Sequence, residues 1–538
     1  MHEGSELTVG DGTGRVEGVH ASGDGRPGED PGGRCYDVAI VGAGFGGLGT
    51  AVQLREAGID SFVILEKGDD VGGTWRDNTY PGAACDVPSN LYSFSFRPRS
   101  WMRRYSPQPE ILDYLREVAS RAGLADHLRL HAEVTGATFD ETAGIWTLTL
   151  ADGRAVQARS VVFALGQLNR PGLPAIEGVG TFAGPAWHSA RWRHDVDLAG
   201  KRVGVIGTGA SAIQFVPRVA EQASAVTIFQ RSAPYVLPKA DHPYSPSQRR
   251  RFAAVPLTQL ADRAWIFGRG EVMTTALTRF PRMRVMLERT WRRHLESQIS
   301  DPVLREKCTP DYVMGCKRIL LANDWYSTLQ REHVDLVTER IEAVTPGGVR
   351  TADGVEHPVD VLIYATGFQT TGFLEPVTVT GRGGADLRDR WRDGARAYLG
   401  VTVPDFPNLF VLYGPNTNLG TNSIILMLEA QIGYVVGAVR ALADERLAWV
   451  DVRADVEGAF HDWVVERSRH TAWETGCHSW YTTAAGVNTN NWPALVSTYR
   501  QRLRHFDLLD YEVRPLPDSW PAPVPAPVAA PAAMAGAR

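Results

Sequence analysis

The sequence predicts an α/β protein with two Rossmann-like units, the second carrying a helical insertion. Three observations predict it. A glycine-rich turn joins a short apolar strand to a helix near residue 42, and a second such turn follows a strand near residue 207. Between about 240 and 310 strand signals fade, and Arg, Met, Leu and Trp recur at helical spacing.

The first unit opens on Tyr36 to Val41, a run of β-formers that reads as a buried strand. Gly42-Ala-Gly44-Phe-Gly-Gly47 follows. In such a motif Gly42 lets the backbone turn, Gly44 lets a pyrophosphate approach, and Gly47 lets the helix pack close to its strand. The helix N-terminus offers free N–H groups and a positive dipole end to phosphates. A second strand, Ser61 to Leu65, ends on Glu66, nineteen residues after Gly47. A carboxylate roughly 20 residues on binds ribose hydroxyls. Val71-Gly-Gly73-Thr74-Trp75 is a further glycine turn, expected beside the same cofactor.

The second unit runs from Lys201 to Ile206 into Gly207-Thr-Gly209-Ala-Ser211-Ala212, then a helix and a strand ending at Phe229. Where the first unit has Glu66, this one has Gln230-Arg231-Ser232. A carboxylate there would repel a 2′-phosphate, whereas an arginine can pair with it. FAD is therefore assigned to the first unit and NADPH to the second. Ser160 to Gly166 and Asp360 to Gly367 are strands ending in small residues, read as connectors between the two dinucleotide-binding domains.

The domain plan follows. Residues 1–34 read as a disordered tail. Residues 35–170 form the first part of the FAD domain and 171–390 the NADP domain, with the insertion at about 240–310. Residues 391–514 return to the FAD domain, and 515–538 form a Pro- and Ala-rich tail. The apolar spacing predicts helices over 109–122 and 422–439, and a strand over 128–138. Within the insertion, Trp265, Phe267, Met273 and Met283 are read as core.

Composition narrows the partners. A net charge of −5 gives no reason to expect nucleic acid or an anionic membrane. No apolar run reads as long enough to span a bilayer, and no secretion signal opens the chain. The five cysteines are scattered without a CxxC, so neither zinc nor a redox dithiol is indicated, no metal is assigned, and reducing cytoplasm is the expected compartment. No protein partner is signalled.

Two isolated residues draw notice. Asp86 sits in Thr79-Tyr-Pro-Gly-Ala-Ala-Cys-Asp86 among small and apolar neighbours. A carboxylate there is costly unless a cation or several donors hold it, though a turn or helix-cap aspartate is an equal reading. Between the two units lies Phe182-Ala-Gly184-Pro-Ala-Trp-His188-Ser-Ala-Arg-Trp192-Arg193. His188 has no neighbouring Ser, Cys or acid to make it a base. The reading favoured for His188 and Trp192 is that they hold an interdomain linker by hydrogen bonding and packing.

That stretch has the form FxGxxxHxxxW. Set between two dinucleotide motifs, it makes residues 35–510 resemble the Baeyer–Villiger monooxygenases, a branch of the class B flavoprotein monooxygenases. Thr79 to Ser89, Gly315-Cys-Lys317-Arg318, the Ala-Thr-Gly connector, Gly414 to Ser423 and Ser479 to Pro493 resemble the family's other blocks. One position departs: the family usually has Pro or Asp where Arg193 stands.

The resemblance implies an NADPH- and O2-dependent enzyme that inserts oxygen beside a ketone carbonyl through a flavin C4a-peroxide, giving an ester or lactone. It implies that Arg318 is the fixed cation for that chemistry. It further implies that Asp86 orients Arg318, that Lys317 faces the NADPH 2′-phosphate with Arg231 and Ser232, and that His188 couples domains. The alternatives are an N- or S-oxygenating relative and a flavin-binding sensor without turnover. A dithiol reductase would need a partner beside Cys85, and none adjoins it.

Overall fold

The computed structural model describes residues 34–475, 481–483 and 486–517. Apart from Arg34, the expected N-terminal tail lies outside the described residues, as does the Pro/Ala tail beyond residue 517 and part of the 479–493 loop.

Two sheets, each built on parallel strands, carry the chain. In the first, Cys35–Val41 lies between Phe62–Leu65 and Ala155–Phe163, all parallel. Such strands are covered on both faces, which is why they read as unbroken apolar runs. Val38, Ala39 and Ile40 are fully buried. Val134–Asp140 and Ile145–Leu150 extend the sheet antiparallel. The strand expected over 128–138 is divided: Leu128–Arg129 pairs with Phe62–Leu65, and the chain resumes at Val134. The second sheet is wholly parallel, in the order Val334–Val337, Ala225–Phe229, Arg202–Ile206, Val361–Tyr364, Ala186–His188.

The chain crosses from the first sheet to the second near Pro171 and back near Phe368. These crossings are bonded to each other, Gly172 N–H to the Gly367 carbonyl at 2.8 Å and Gln369 N–H to the Arg170 carbonyl at 2.9 Å. The chain is back in the first sheet by Thr378–Thr380, ahead of residue 391, and adds Leu409–Val411 beside Ala155–Phe163.

The region between the sheets' helices and residue 310 is helical: Pro246–Ala254, Pro256–Thr278, Pro281–Gln298 and Pro302–Lys307. Each opens on proline, whose missing N–H costs nothing in a first turn. Ser245 caps the first of them with a reciprocal bond from Gln248, and Asp301 caps the last. Trp265 corrects the expectation of a core residue. It is 53% exposed, with the Arg269 and Arg104 guanidinium groups 4.8 and 5.6 Å from its ring centre. Trp291 and Leu295 supply the packing instead.

Helix Ile424–Asp444 corrects another expectation. It is long and apolar enough to cross a bilayer, yet most of it is packed inside the fold. It lies against helix Phe45–Glu56, where a methyl on Gly49 would meet Ile432 at 2.8 Å. Its apolarity serves that double-sided burial.

Candidate active site

A cleft of about 1380 Å³ opens between the sheets, lined by both glycine turns. Ligands of open α/β sheets bind at this edge, beyond the carboxyl ends of the strands. The volume exceeds the roughly 300–1,000 Å³ of a single small-molecule site.

The first turn is tight. Gly42 has φ +105°, and a methyl there would lie 2.7 Å from the Ala164 carbonyl oxygen. A methyl on Gly47 would lie 1.8 Å from the Gly42 carbonyl oxygen. Gly44, by contrast, faces open room, its nearest neighbour being the Cα of Gly73. Thr74 begins a short helix behind Gly73, and the Trp75 indole donates to the Tyr92 hydroxyl at 3.1 Å. Glu66 is 4% exposed. One carboxylate oxygen accepts the Ala43 N–H at 2.8 Å, and the other accepts Gly68 N–H and Arg76 at 2.8 and 2.9 Å. A carboxylate has about four acceptor sites, so capacity remains on its cleft side.

The second turn repeats the plan. Gly207 has φ +111°, and a methyl would lie 2.5 Å from the Ala365 carbonyl oxygen. Gly209 faces open space, and Ser211 stands at the start of helix Ala212–Val219. Arg231 is exposed at the end of the second strand. Lys317 donates to the Ser232 hydroxyl at 2.8 Å. Burial lowers the pKa of Lys317, and the nearby Arg231 charge lowers it further. Among the described residues the two cations converge with no carboxylate bonded between them.

Residues 86 and 318 meet deeper in the cleft. Arg318 donates to Asp86 at 3.0 Å. Protein surrounds Arg318, and the 36% of its side chain that is accessible opens into the cleft. Burial alone would lower its pKa, and the Asp86 carboxylate together with the nearby Tyr481, Tyr413 and Cys85 side chains outweighs burial and leaves it raised. The group is a permanent cation.

Two residues that the sequence did not single out hold Asp86. Gln214, on helix Ala212–Val219, donates to Asp86 at 3.4 Å and to the Ala84 carbonyl at 3.0 Å, and accepts from the Tyr80 hydroxyl at 3.0 Å. Lys239 stands 3.9 Å from Asp86 and donates to the Cys85 carbonyl at 3.0 Å. Neither belongs to a motif; each is recruited by the fold. The Cys85 thiol is free and pushed up to about 12 by burial. Cys35 and Cys308 are also free, whereas Cys316 is disulfide-bonded, which the cysteine spacing did not announce.

The fingerprint lies at the edge of the second sheet. Ala186–His188 is the edge strand. His188 accepts the Ala190 N–H at 3.1 Å through Nδ1, and burial lowers its pKa against an opposing contact with the Gly367 backbone. Trp192 packs on Trp187 and Phe215, at 5.7 and 5.2 Å between ring centres. Gly184 fits under the Phe182 ring and the Asp360 carbonyl, where a methyl would collide. Arg193 forms an exposed pair with Asp195 at 2.5 Å.

Comparison with known proteins decides the family. A family profile described as pyridine nucleotide-disulphide oxidoreductase matches residues 39–262. A Baeyer–Villiger monooxygenase of Pseudomonas aeruginosa is 41% identical over 90% of this chain and 92% of its own. One of Streptomyces coelicolor is 43% identical over 89% and 93%. The chain belongs to the Baeyer–Villiger monooxygenases. These are FAD-containing, NADPH-dependent enzymes. Among solved structures, an oxidized steroid monooxygenase bound to NADP superposes with TM-score 0.80 at 31% identity, covering 89% of this chain and all of that one. A closed cyclohexanone monooxygenase superposes with TM-score 0.80 at 28% identity, covering 90% of this chain and all of that one.

Proposed function

We propose that this protein inserts one oxygen atom from O2 beside the carbonyl of a ketone, giving an ester or lactone. The observation that carries the reading is the Asp86–Arg318 pair at the base of a cleft with two dinucleotide turns.

The residues fit both cofactors. Gly44 and Gly209 leave room where a side chain would otherwise stand, so a pyrophosphate can reach the backbone of each turn. Glu66 would hold the ribose of FAD, and Gly73, Thr74 and Trp75 line the same cleft. Arg231, Ser232 and Lys317 would hold the 2′-phosphate of NADPH, whose negative charge would relieve the repulsion between the two cations. Bound FAD, reduced by NADPH, supplies the activation of dioxygen.

The protein's own contribution is electrostatic. Addition to a ketone places negative charge on the former carbonyl oxygen. Arg318 is a fixed donor for that charge, and it keeps its proton when buried. An oriented donor in a water-poor site lowers such a barrier by about 3–4 kcal/mol. Asp86 aims the guanidinium, and Gln214 and Lys239 aim Asp86.

The test is Arg318→Ala. The variant should keep FAD and be reduced by NADPH, while ester formation falls by a factor of about 10²–10³. Normal ester formation would remove Arg318 from the chemistry. A ketone and a sulfide assayed in parallel identify the substrate class: sulfoxide without ester would place the protein with N- or S-oxygenating relatives.

A further inference from the structure

The first turns of helix Pro256–Thr278 of the insertion have their polarity reversed for a surface helix. Its polar residues point into the protein. Gln259 donates to Asn90 and to the Arg99 carbonyl, Asp262 accepts from Asn90 at 2.7 Å, and Arg263 donates to the Asn90 and Ser93 carbonyls, both at 2.9 Å. Ile266, Ala276 and Leu277 are buried, but four large apolar residues of the helix point out. Leu257 is 73% exposed, and Leu260, Trp265 and Val272 are more than half exposed. At 100° per residue, positions 257, 260, 261, 264, 265, 268 and 272 fall in an arc of about 140°, the width of a core-facing stripe. On the next helix, Val285 and Met286 are exposed too, and Phe280 is exposed at the junction.

The setting of this face is basic. Residues 246–298 contain eleven arginines and no lysine against four acids, a local net charge of +7 in a chain whose total is −5. Arg269 and Arg279 lie over the rings of Trp265 and Phe280, at 4.8 and 5.8 Å from the ring centres. Exposed Leu, Trp and Phe on an arginine-rich segment are the composition of helices that lie in a lipid–water interface and bind anionic headgroups. A second copy of this chain fits less well, because a twofold contact would set the same cationic rim against itself.

We propose that the outer face of the insertion docks on an anionic lipid surface. On its inner side the same helix touches a loop that lines the cleft. Asn422, which lines the cleft, donates to the Phe267 carbonyl at 3.4 Å, and Thr274 and Thr421 bond through their hydroxyls at 2.6 Å. A docked enzyme therefore presents its cleft loop close to the bilayer. The corollary, that an apolar ketone is drawn from the lipid, rests on the function proposed above; the docking itself does not.

The test is co-sedimentation of the full-length, FAD-loaded protein, without substrate, with phosphatidylcholine vesicles that contain or lack phosphatidylglycerol. Binding to the anionic vesicles should exceed binding to the neutral ones roughly tenfold or more at low salt and fall as salt is added. Leu257→Ser with Leu260→Ser should abolish binding while NADPH oxidation is unchanged. Arg282→Gln with Arg289→Gln should weaken it without touching the apolar face, and decides the matter if the serine variant fails to fold. No binding to anionic vesicles, equal binding to both kinds, or variants that bind as the parent does would overturn the proposal. So would a concentration-dependent dimer that the serine variant abolishes. Because vesicle binding is read without substrate or product, a failure here is separate from a failure of the ketone reading.

Discussion

In the first dinucleotide turn a methyl at position 47 would lie 1.8 Å from the Gly42 carbonyl oxygen; at the same motif position the second turn carries Ala212, fully buried and without difficulty. The difference is where the helix starts. The first helix begins at Phe45, the fourth position of its motif, so the sixth position is already inside the helix and pressed on the turn. The second begins at Ala212, the sixth position, which leaves a looser turn. The other glycine constraint is shared, since Gly42 and Gly207 each sit with positive φ under a carbonyl of the neighbouring connector, Ala164 or Ala365. The pair teaches that one motif holds two kinds of glycine: those required by the backbone path and those required by the local packing.

The largest effect should come from exchanging that packing. Gly47→Ala should cost about 3 kcal/mol through overpacking, seen as a lower Tm and loss of FAD. Ala212→Gly should cost no more than about 1 kcal/mol. Equal costs would mean the helix start is not what separates the turns. Next, Arg231→Ala and Lys317→Ala should each raise KM for NADPH about tenfold, worth about 1.4 kcal/mol, with the FAD spectrum and KM for NADH unchanged. A rise for both nucleotides would place these cations elsewhere on the cofactor. The smallest effect is in pH. Lys317 has a lowered pKa, so its charge is complete below that value and lost as pH rises through it. KM for NADPH should therefore climb in the alkaline range, and Lys317→Arg should flatten the climb because arginine stays protonated. A flat profile in the parent enzyme would exclude Lys317 as the titrating contact.

Much of the fold was legible because it is local. The strand, turn, helix and Glu66 lie within thirty or so residues, and parallel strands announce themselves as apolar runs. The Asp86–Arg318 pair was not legible from spacing, since 232 residues separate its members; only the family resemblance joined them. Gln214 and Lys239 carried no signal, because a lone amide or amine acquires meaning only from what the fold sets beside it. Trp265 misled for a different reason. Helical spacing says which residues share a face, not whether that face is turned inward, and here polar Gln259, Asp262 and Arg263 took the inner side. The net charge likewise averaged an arginine-rich insertion into an acidic chain, which is why no lipid surface was expected.

The paired crossings near Pro171 and Phe368 have a mechanical meaning. Two strands of chain joined by hydrogen bonds make a ribbon, and a ribbon bends about its flat side far more readily than it twists or shears. The two sheets are thus connected by a leaf hinge with one soft direction. Bending about that side is the direction the two bonded crossings resist least, and the bonds from Gln214 on one side to Tyr80, Ala84 and Asp86 on the other span the gap it would change.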